Sequence, residues 1–151
     1  IIVVDNDSSD LTAKVAKEEG CRVVHESFRQ IAKARNAGAK EAVGKYLFFI
    51  DADTVVPEKI LQEAISKMEQ SQVGGGGALL KFDRDHGRLF SGKILPILWN
   101  LLSEHLKLFA GSFIFCRAEF FYKAGGFPET HFAGEEIIFS KRLKRVLTDG
   151  F

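Results

Sequence analysis

Cysteine, proline, tryptophan and methionine are all scarce in this chain, and excess charge is missing altogether. Its two cysteines, Cys21 and Cys116, lie far apart and match no metal-ligand spacing. A disulfide-stapled scaffold is therefore excluded, and reduced thiols in a reducing compartment are expected. Three prolines and no low-complexity run leave no place for a disordered linker. Lys and Arg number 21 against 20 Asp and Glu, a formal charge of +1. That balance gives no electrostatic footprint for nucleic acid or for a charged membrane surface. No uncharged apolar run approaches the roughly 20 residues that a membrane-spanning helix needs.

What is abundant is phenylalanine, 14 of 151 residues, within a chain that is 46% hydrophobic and 27% charged. This is the composition of one globular domain with a sizeable core. Ile1–Val4 is a short β-branched run that ends in the polar turn Asp5-Asn-Asp-Ser-Ser-Asp10. Asp10–Gly20 reads as a helix with Leu11, Val15 and Ala16 inward, and Cys21–His25 as a second strand. Ile31–Val43 is a helix of small residues, Lys45–Ile50 a strand, and Glu58–Glu69 a helix with Ile60, Leu61, Ala64, Ile65 and Met68 inward. The alternation predicts right-handed βαβ units and a mostly parallel sheet.

The second half differs in texture. Four glycines, Gly74–Gly77, precede an expected strand Ala78–Phe82 and a charged turn at Lys81–Gly87. Lys93–Phe109 places Leu95, Leu98, Trp99, Leu102, Leu106 and Phe109 at helical spacing. Gly111–Cys116 reads as an apolar strand, Ala118–Ala124 as a short helix, and Glu135–Leu147 as a helix with Ile138, Phe139, Leu143 and Val146 inward. The chain opens inside a strand and stops at a turn, Asp149-Gly150-Phe151, so it is expected to be a fragment.

The stretch that carries chemistry is Lys45–Pro57. Tyr46–Ile50 is uninterruptedly apolar or aromatic, the mark of a strand buried on both faces, and it runs straight into Asp51 and Asp53. Two carboxylates at the end of such a strand are costly unless a cation sits between them. In open α/β sheets ligands bind beyond the carboxyl ends of the strands. Paired oxygen donors there suit Mg²⁺ or Mn²⁺ carrying substrate phosphates.

Four segments together resemble the family 2 glycosyltransferases, inverting enzymes of the GT-A nucleotide-diphospho-sugar fold. They are Ile1–Asp10, similar to that family's VVDDGSxD; Ala34-Arg35-Asn36-Ala37-Gly38, like its ARNxG; Asp51-Ala52-Asp53, its DxD; and Gly125-Gly126-Phe127 with Gly134-Glu135-Glu136 and Arg142, like its GGF…ED…R. The pattern is departed from where Glu136 replaces an aspartate, where the family's first strand would precede Ile1, and where no Gln-x-x-Arg-Trp segment follows.

The resemblance implies one α/β domain over 1–151, with a nucleotide-sugar-binding half (1–73) and an acceptor and catalytic half (74–151). It implies a divalent metal at Asp53, with Asp51 on the metal or the ribose and Arg35 on the diphosphate or its turn. Asp5 or Asn6 would meet the base edge, Glu136 would be the general base, and Glu135 would contact acceptor or sugar. The partners implied are a nucleoside-diphosphate sugar, most commonly of uridine, and a saccharide, lipid-linked or protein hydroxyl acceptor in polysaccharide or cell-envelope glycan synthesis. A cytoplasmic site is expected, or a peripheral one at the inner face of a membrane.

Rival readings follow from the same residues. A response-regulator receiver also pairs an early acidic turn with a later aspartate, but it needs a Lys-Pro dipeptide that is absent here. A nucleotidyltransferase on a related fold stays open, as does a non-catalytic nucleotide-sugar or carbohydrate-binding module. His25, His86 and His105 have no spaced partners and are expected to be structural or solvated; His131 lies nearer the proposed base but is not expected to act there.

Overall fold

A computed structural model of the chain describes residues 1–70, 73–78, 111–130 and 133–148. The expected turn at Lys81–Gly87, the Leu/Trp stripe of Lys93–Phe109, and His86, His105 and His131 lie outside the described residues.

Chain order is β1 (Ile2–Asp5), α1 (Thr12–Glu18), β2 (Arg22–His25), α2 (Ile31–Glu41), β3 (Tyr46–Ile50), α3 (Glu58–Gln70), β4 (Gly75–Gly77), β5 (Phe113–Arg117), α4 (Ala118–Lys123) and α5 (Glu135–Thr148). The parallel pairing predicted for the first half is found between β1 and β2, in register from Ile2↔Arg22 to Asp5↔His25, with α1 as the crossover. The second ladder is antiparallel. Its order is β3-β5-β4, with Leu47 opposite Cys116 and Gly75 also opposite Cys116. The antiparallel sense arises because β5 comes from the second half of the chain and runs back along β3.

This ladder corrects two expectations. The strand buried on both faces is β5, whose Phe113, Ile114, Phe115 and Cys116 are all buried, because it lies between two partners. In β3 only Leu47 is fully buried, and Ile50 is 43% exposed. The glycines expected to be a permissive lead-in are themselves strand β4. A Cβ on Gly75 would come 2.6 Å from the Phe115 carbonyl oxygen, so no larger residue fits this close approach. Of the strand expected at Ala78–Phe82, Ala78 lies beyond the end of β4 and the rest lies outside the described residues.

Period-2 alternation along β5 divides the core. Ile114 and Cys116 join Ala32 and Ala39 of α2, Leu47, Phe121, Phe127, and Phe139 and Leu143 of α5. Phe113 and Phe115 face α3 with Ala64 and Met68. The expected inward faces of α3 and α5 are thereby realised, although Ile138 is only half-buried. Four phenylalanines lock the first cluster together, with ring centroids at 4.9 Å for Phe49–Phe127 and 4.5 Å for Phe127–Phe139. Cys116 is deep in this cluster, and burial pushes its thiol up to about 12. Both cysteines are free thiols, as expected.

Helix α1 departs from its sequence reading. Leu11 and Val15 point outward; Ala16 is half-buried as expected, and Ala13 joins it in their place. Alanine lets the helix lie close to a two-stranded sheet, and an i, i+3 pair suffices for seven residues. Asp10, expected as the helix cap, lies one residue ahead of the N-cap position, which Leu11 takes without a side-chain bond; its Oδ1 still accepts the Thr12 N–H at 2.9 Å.

A candidate donor and acid–base site

Strand β3 delivers Asp51 to the edge of the core. The Asp51 N–H donates to the Ser112 carbonyl at 3.0 Å, and the Asp51 carbonyl accepts from Thr54 at 3.0 Å, which closes a turn before α3. Asp53 stands at the tip of that turn, exposed and with no partner among the described residues. Asp51 is half-exposed, and it has a partner.

That partner is Arg35 of α2. Its Nη2 donates to Asp51 Oδ1 at 3.0 Å, and its Nη1 donates to Glu135 Oε1 at 3.1 Å. The side chain is 11% exposed and Glu135 only 5%, so this is a nearly dry pair in which each charge needs the other. The guanidinium also lies 5.2 Å from the centre of the Phe127 ring.

Glu135 and Glu136 form the first turn of α5, and the Gly134 carbonyl accepts the N–H groups of Ile137 and Ile138. Glu136 is half-buried. Burial pushes its carboxyl above the usual carboxylate range, and the negative charge of Glu135 adds to the rise. The hydrogen bond to its own backbone and the nearby Arg35 oppose it. A carboxyl raised in this way is the kind suited to move protons near neutrality.

The next residue of α2 holds the rest of the site in place. Asn36 Nδ2 donates to the Phe127 carbonyl at 2.9 Å, and the Phe127 N–H donates to Asn36 Oδ1 at 2.9 Å, so one side-chain amide pairs with the backbone as a strand would. Gly126 has φ +66°, and a Cβ there would meet Asn36 Oδ1 at 2.8 Å. Glycine at 126 thus serves both the turn and the clamp. Gln30 adds a third tie, its Nε2 donating to the Glu129 carbonyl at 2.8 Å. Sequence reading placed Arg35 and the two acids in the site but missed Asn36 and Gln30. Their one signal was Asn36 lying beside Arg35 in the quoted motif.

Asp5 and Asn6 form a separate cluster at the ends of β1 and β2. Asp5 is buried, its Oδ1 accepting the Ser8 N–H at 3.1 Å and its Oδ2 lying 3.4 Å from His25 Nδ1. The Ser8 hydrogen bonds chiefly, with smaller help from His25, hold its carboxyl below the usual range. Asn6 donates both amide hydrogens to the chain, to the Glu26 carbonyl at 2.9 Å and the Phe28 carbonyl at 2.7 Å. Its free group is therefore an acceptor. His25, expected to be structural or solvated, is largely exposed beside Asp5. No hydrogen bond or ion pair among the described residues links Asp5 or Asn6 directly to Arg35, Asp51 or Glu135.

The family model for glycosyl transferase family 2 matches residues 1–125. The chain belongs to glycosyl transferase family 2. Its relatives include an uncharacterised glycosyltransferase of Rickettsia conorii, 28% identical over an alignment of 110 residues, with 64% of this chain and 18% of that protein covered. Another is the uncharacterised glycosyltransferase EpsJ of Bacillus subtilis, 31% identical over 78 residues, 48% of this chain and 23% of that one. The family 2 chain thus spans a minor part of the length of these relatives.

Solved structures share its fold. A mannosyltransferase from Pyrobaculum calidifontis in complex with GDP-mannose and Mn²⁺ superposes with TM-score 0.67 at 24% identity, covering 89% of this chain and 40% of that one. Glucosyl-3-phosphoglycerate synthase from Mycobacterium tuberculosis in complex with UDP does so with TM-score 0.68 at 19% identity, covering 98% and 55%. The α/β architecture is the GT-A fold. No helix among the described residues is long and apolar enough to cross a membrane.

Proposed function

We propose that this family 2 chain carries the donor site and the acid–base site of an inverting, metal-dependent glycosyltransferase. Its donor would be a nucleoside-diphosphate sugar and its acceptor a hydroxyl group in saccharide or cell-envelope glycan synthesis. The observation that carries this reading is the convergence on Arg35 of Asp51 and Glu135, two acidic turns far apart in the sequence, with Glu136 beside them.

Asp53 and Asp51 fit a divalent ion. Both are hard oxygen donors at an open turn, Asp53 is unengaged by any described residue, and Mg²⁺ or Mn²⁺ bound to a nucleotide needs only one or two carboxylates. Among the described residues no group of three or more acidic, histidine or cysteine side chains is placed to hold a metal ion by itself. When bound, such an ion supplies charge neutralisation for the departing diphosphate.

The chain's own groups supply the rest. Asp5 and the Asn6 carbonyl are acceptors suited to the N–H edge of a base. Arg35 braces the turn that receives the diphosphate. Glu136 takes the proton of the acceptor hydroxyl as its oxygen attacks the anomeric carbon. The bond to the diphosphate breaks on the opposite face, so the configuration inverts. Glu135 lies against Arg35, at the border of the acceptor side.

Calorimetric titration of the complete protein with UDP, GDP and TDP, with and without Mn²⁺, tests the donor site. Metal-dependent binding of one of them, lost in Asp53→Ala, is expected. Glu136→Gln should then lower sugar transfer by about 10²–10⁴-fold. Full transfer activity in either variant would sink the site assignment, and failure of all three nucleotides to bind would favour a non-catalytic module.

A further inference from the structure

Arg35 does more than neutralise a buried acid. An arginine nearly excluded from water needs paired acceptors, and a single buried carboxylate would satisfy that need. Here the two terminal nitrogens diverge to two carboxylates from different elements. One belongs to the turn after β3, the other to the first turn of α5. Asp51, at 44% exposed, is open to an incoming ligand, whereas Glu135 is sealed. Among the described residues no other ion pair joins these two turns.

The stem of Arg35 has little freedom. Its neighbour Asn36 is bonded to both sides of the Phe127 peptide backbone, and the Phe127 ring lies beside the guanidinium. A planar guanidinium on a fixed stem can change its hold on one carboxylate only by changing its hold on the other. Glu135 is bonded to it, and Glu136 follows one residue later, about 100° round the helix. A shift at Asp51 is therefore felt at Glu136.

We propose that Arg35 is a positioning residue that transmits the state of the Asp51 turn to the first turn of α5, so that Glu136 is oriented for the acceptor only when the donor turn is engaged. This rests on the reading of Glu136 as the base. The coupling itself is a property of three side chains already in contact. A lysine would keep the charge that Glu135 needs but, being a single point donor, would lose the fork.

The test uses the full-length protein and a double-substitution cycle read by amide hydrogen exchange over residues 134–139. Asp51→Asn should speed exchange there by about tenfold with Arg35 present, and by no further amount in Arg35→Lys. Additive effects, or no response to Asp51→Asn with Arg35 present, would overturn the proposal. The kinetic counterpart takes whichever nucleoside-diphosphate sugar the protein turns over: Arg35→Lys should lower kcat by about 10²-fold with the donor KM nearly unchanged. A raised KM at unchanged kcat would make Arg35 a donor ligand instead. If no donor is turned over, the enzymatic reading falls, while the exchange cycle still decides whether the coupling exists.

Discussion

Residues 1–30 and the described residues that follow them are built on different principles. From Ile1 to Gln30 no hydrophobic side chain is fully buried, and the two buried residues, Asp5 and Gln30, are polar. This βαβ unit is held by its ladder, by the Asn6 and Asp5 hydrogen bonds, and by ion pairs such as Arg29–Asp7. Beyond it lie two apolar clusters packed on both faces of β5. Each region ends a strand in an acidic turn. The turn of the first region sits on a scaffold of exchangeable hydrogen bonds, the turn of the second on a packed core. A site that must hold a reacting pair in line needs the second kind of support, and one that admits a nucleotide tolerates the first.

The contrast breaks most directly through the core. Phe139→Ala should cost about 3–5 kcal/mol, because Phe139 is fully buried in the first cluster, against the rings of Phe121 and Phe127. Val15→Ser in α1, where the side chain is 51% exposed, should cost no more than about 0.5 kcal/mol. Urea denaturation midpoints measure both, and comparable losses would show that the first unit hides a core of its own.

The two asparagines sharpen it. Asn36→Ala leaves a buried N–H and carbonyl of Phe127 unpaired and should cost about 1–3 kcal/mol. Asn6→Ala releases two carbonyls that water can reach, and it should cost about 1 kcal/mol while loosening the turn that faces the nucleotide base. The expected signature is a lower melting temperature for the first and a weaker nucleotide affinity for the second. Reversed signatures would exchange the roles of the two regions.

The smallest effect is electrostatic. Burial raises the Glu136 carboxyl in the folded chain above its unfolded value, so the fold favours its protonated form. That contribution is fully present below the unfolded value and is lost as pH rises through the folded one. Glu136→Gln should therefore melt above the parent protein at neutral and alkaline pH and coincide with it in acid. Transfer should show the opposite trend in the parent, falling as pH drops and the base is protonated. A melting difference independent of pH would mean that the carboxylate is not strained by its surroundings.

Much of this was legible in the sequence, and the exceptions have physical causes. Helices α2, α3 and α5 and strands β3 and β5 follow from local periodicity, which the chain carries in itself. The acidic turns follow from where the apolar runs stop. The antiparallel return of β5 was not legible, because strand direction depends on how distant segments come together. Gly75 looks like a flexible residue in sequence and is a packing surface in space, since absence of a side chain has two uses. The outward turn of Leu11 and Val15 escaped notice because seven residues give a helical stripe too few repeats to fix its phase. Arg35 was found as a residue, but its union with Glu135, 100 positions away, could come only from the folded chain.

Cys116 gives the core a timekeeper. Its thiol is sealed in the first cluster, on the strand that carries Leu47 opposite it on one side and Gly75 on the other, and burial pushes it up to about 12. A thiol-directed reagent can reach it only after β5 has parted from its neighbours, whereas Cys21 is partly open from the start. The lag between the two labelling events measures how long the central ladder remains shut, with no substitution in the chain.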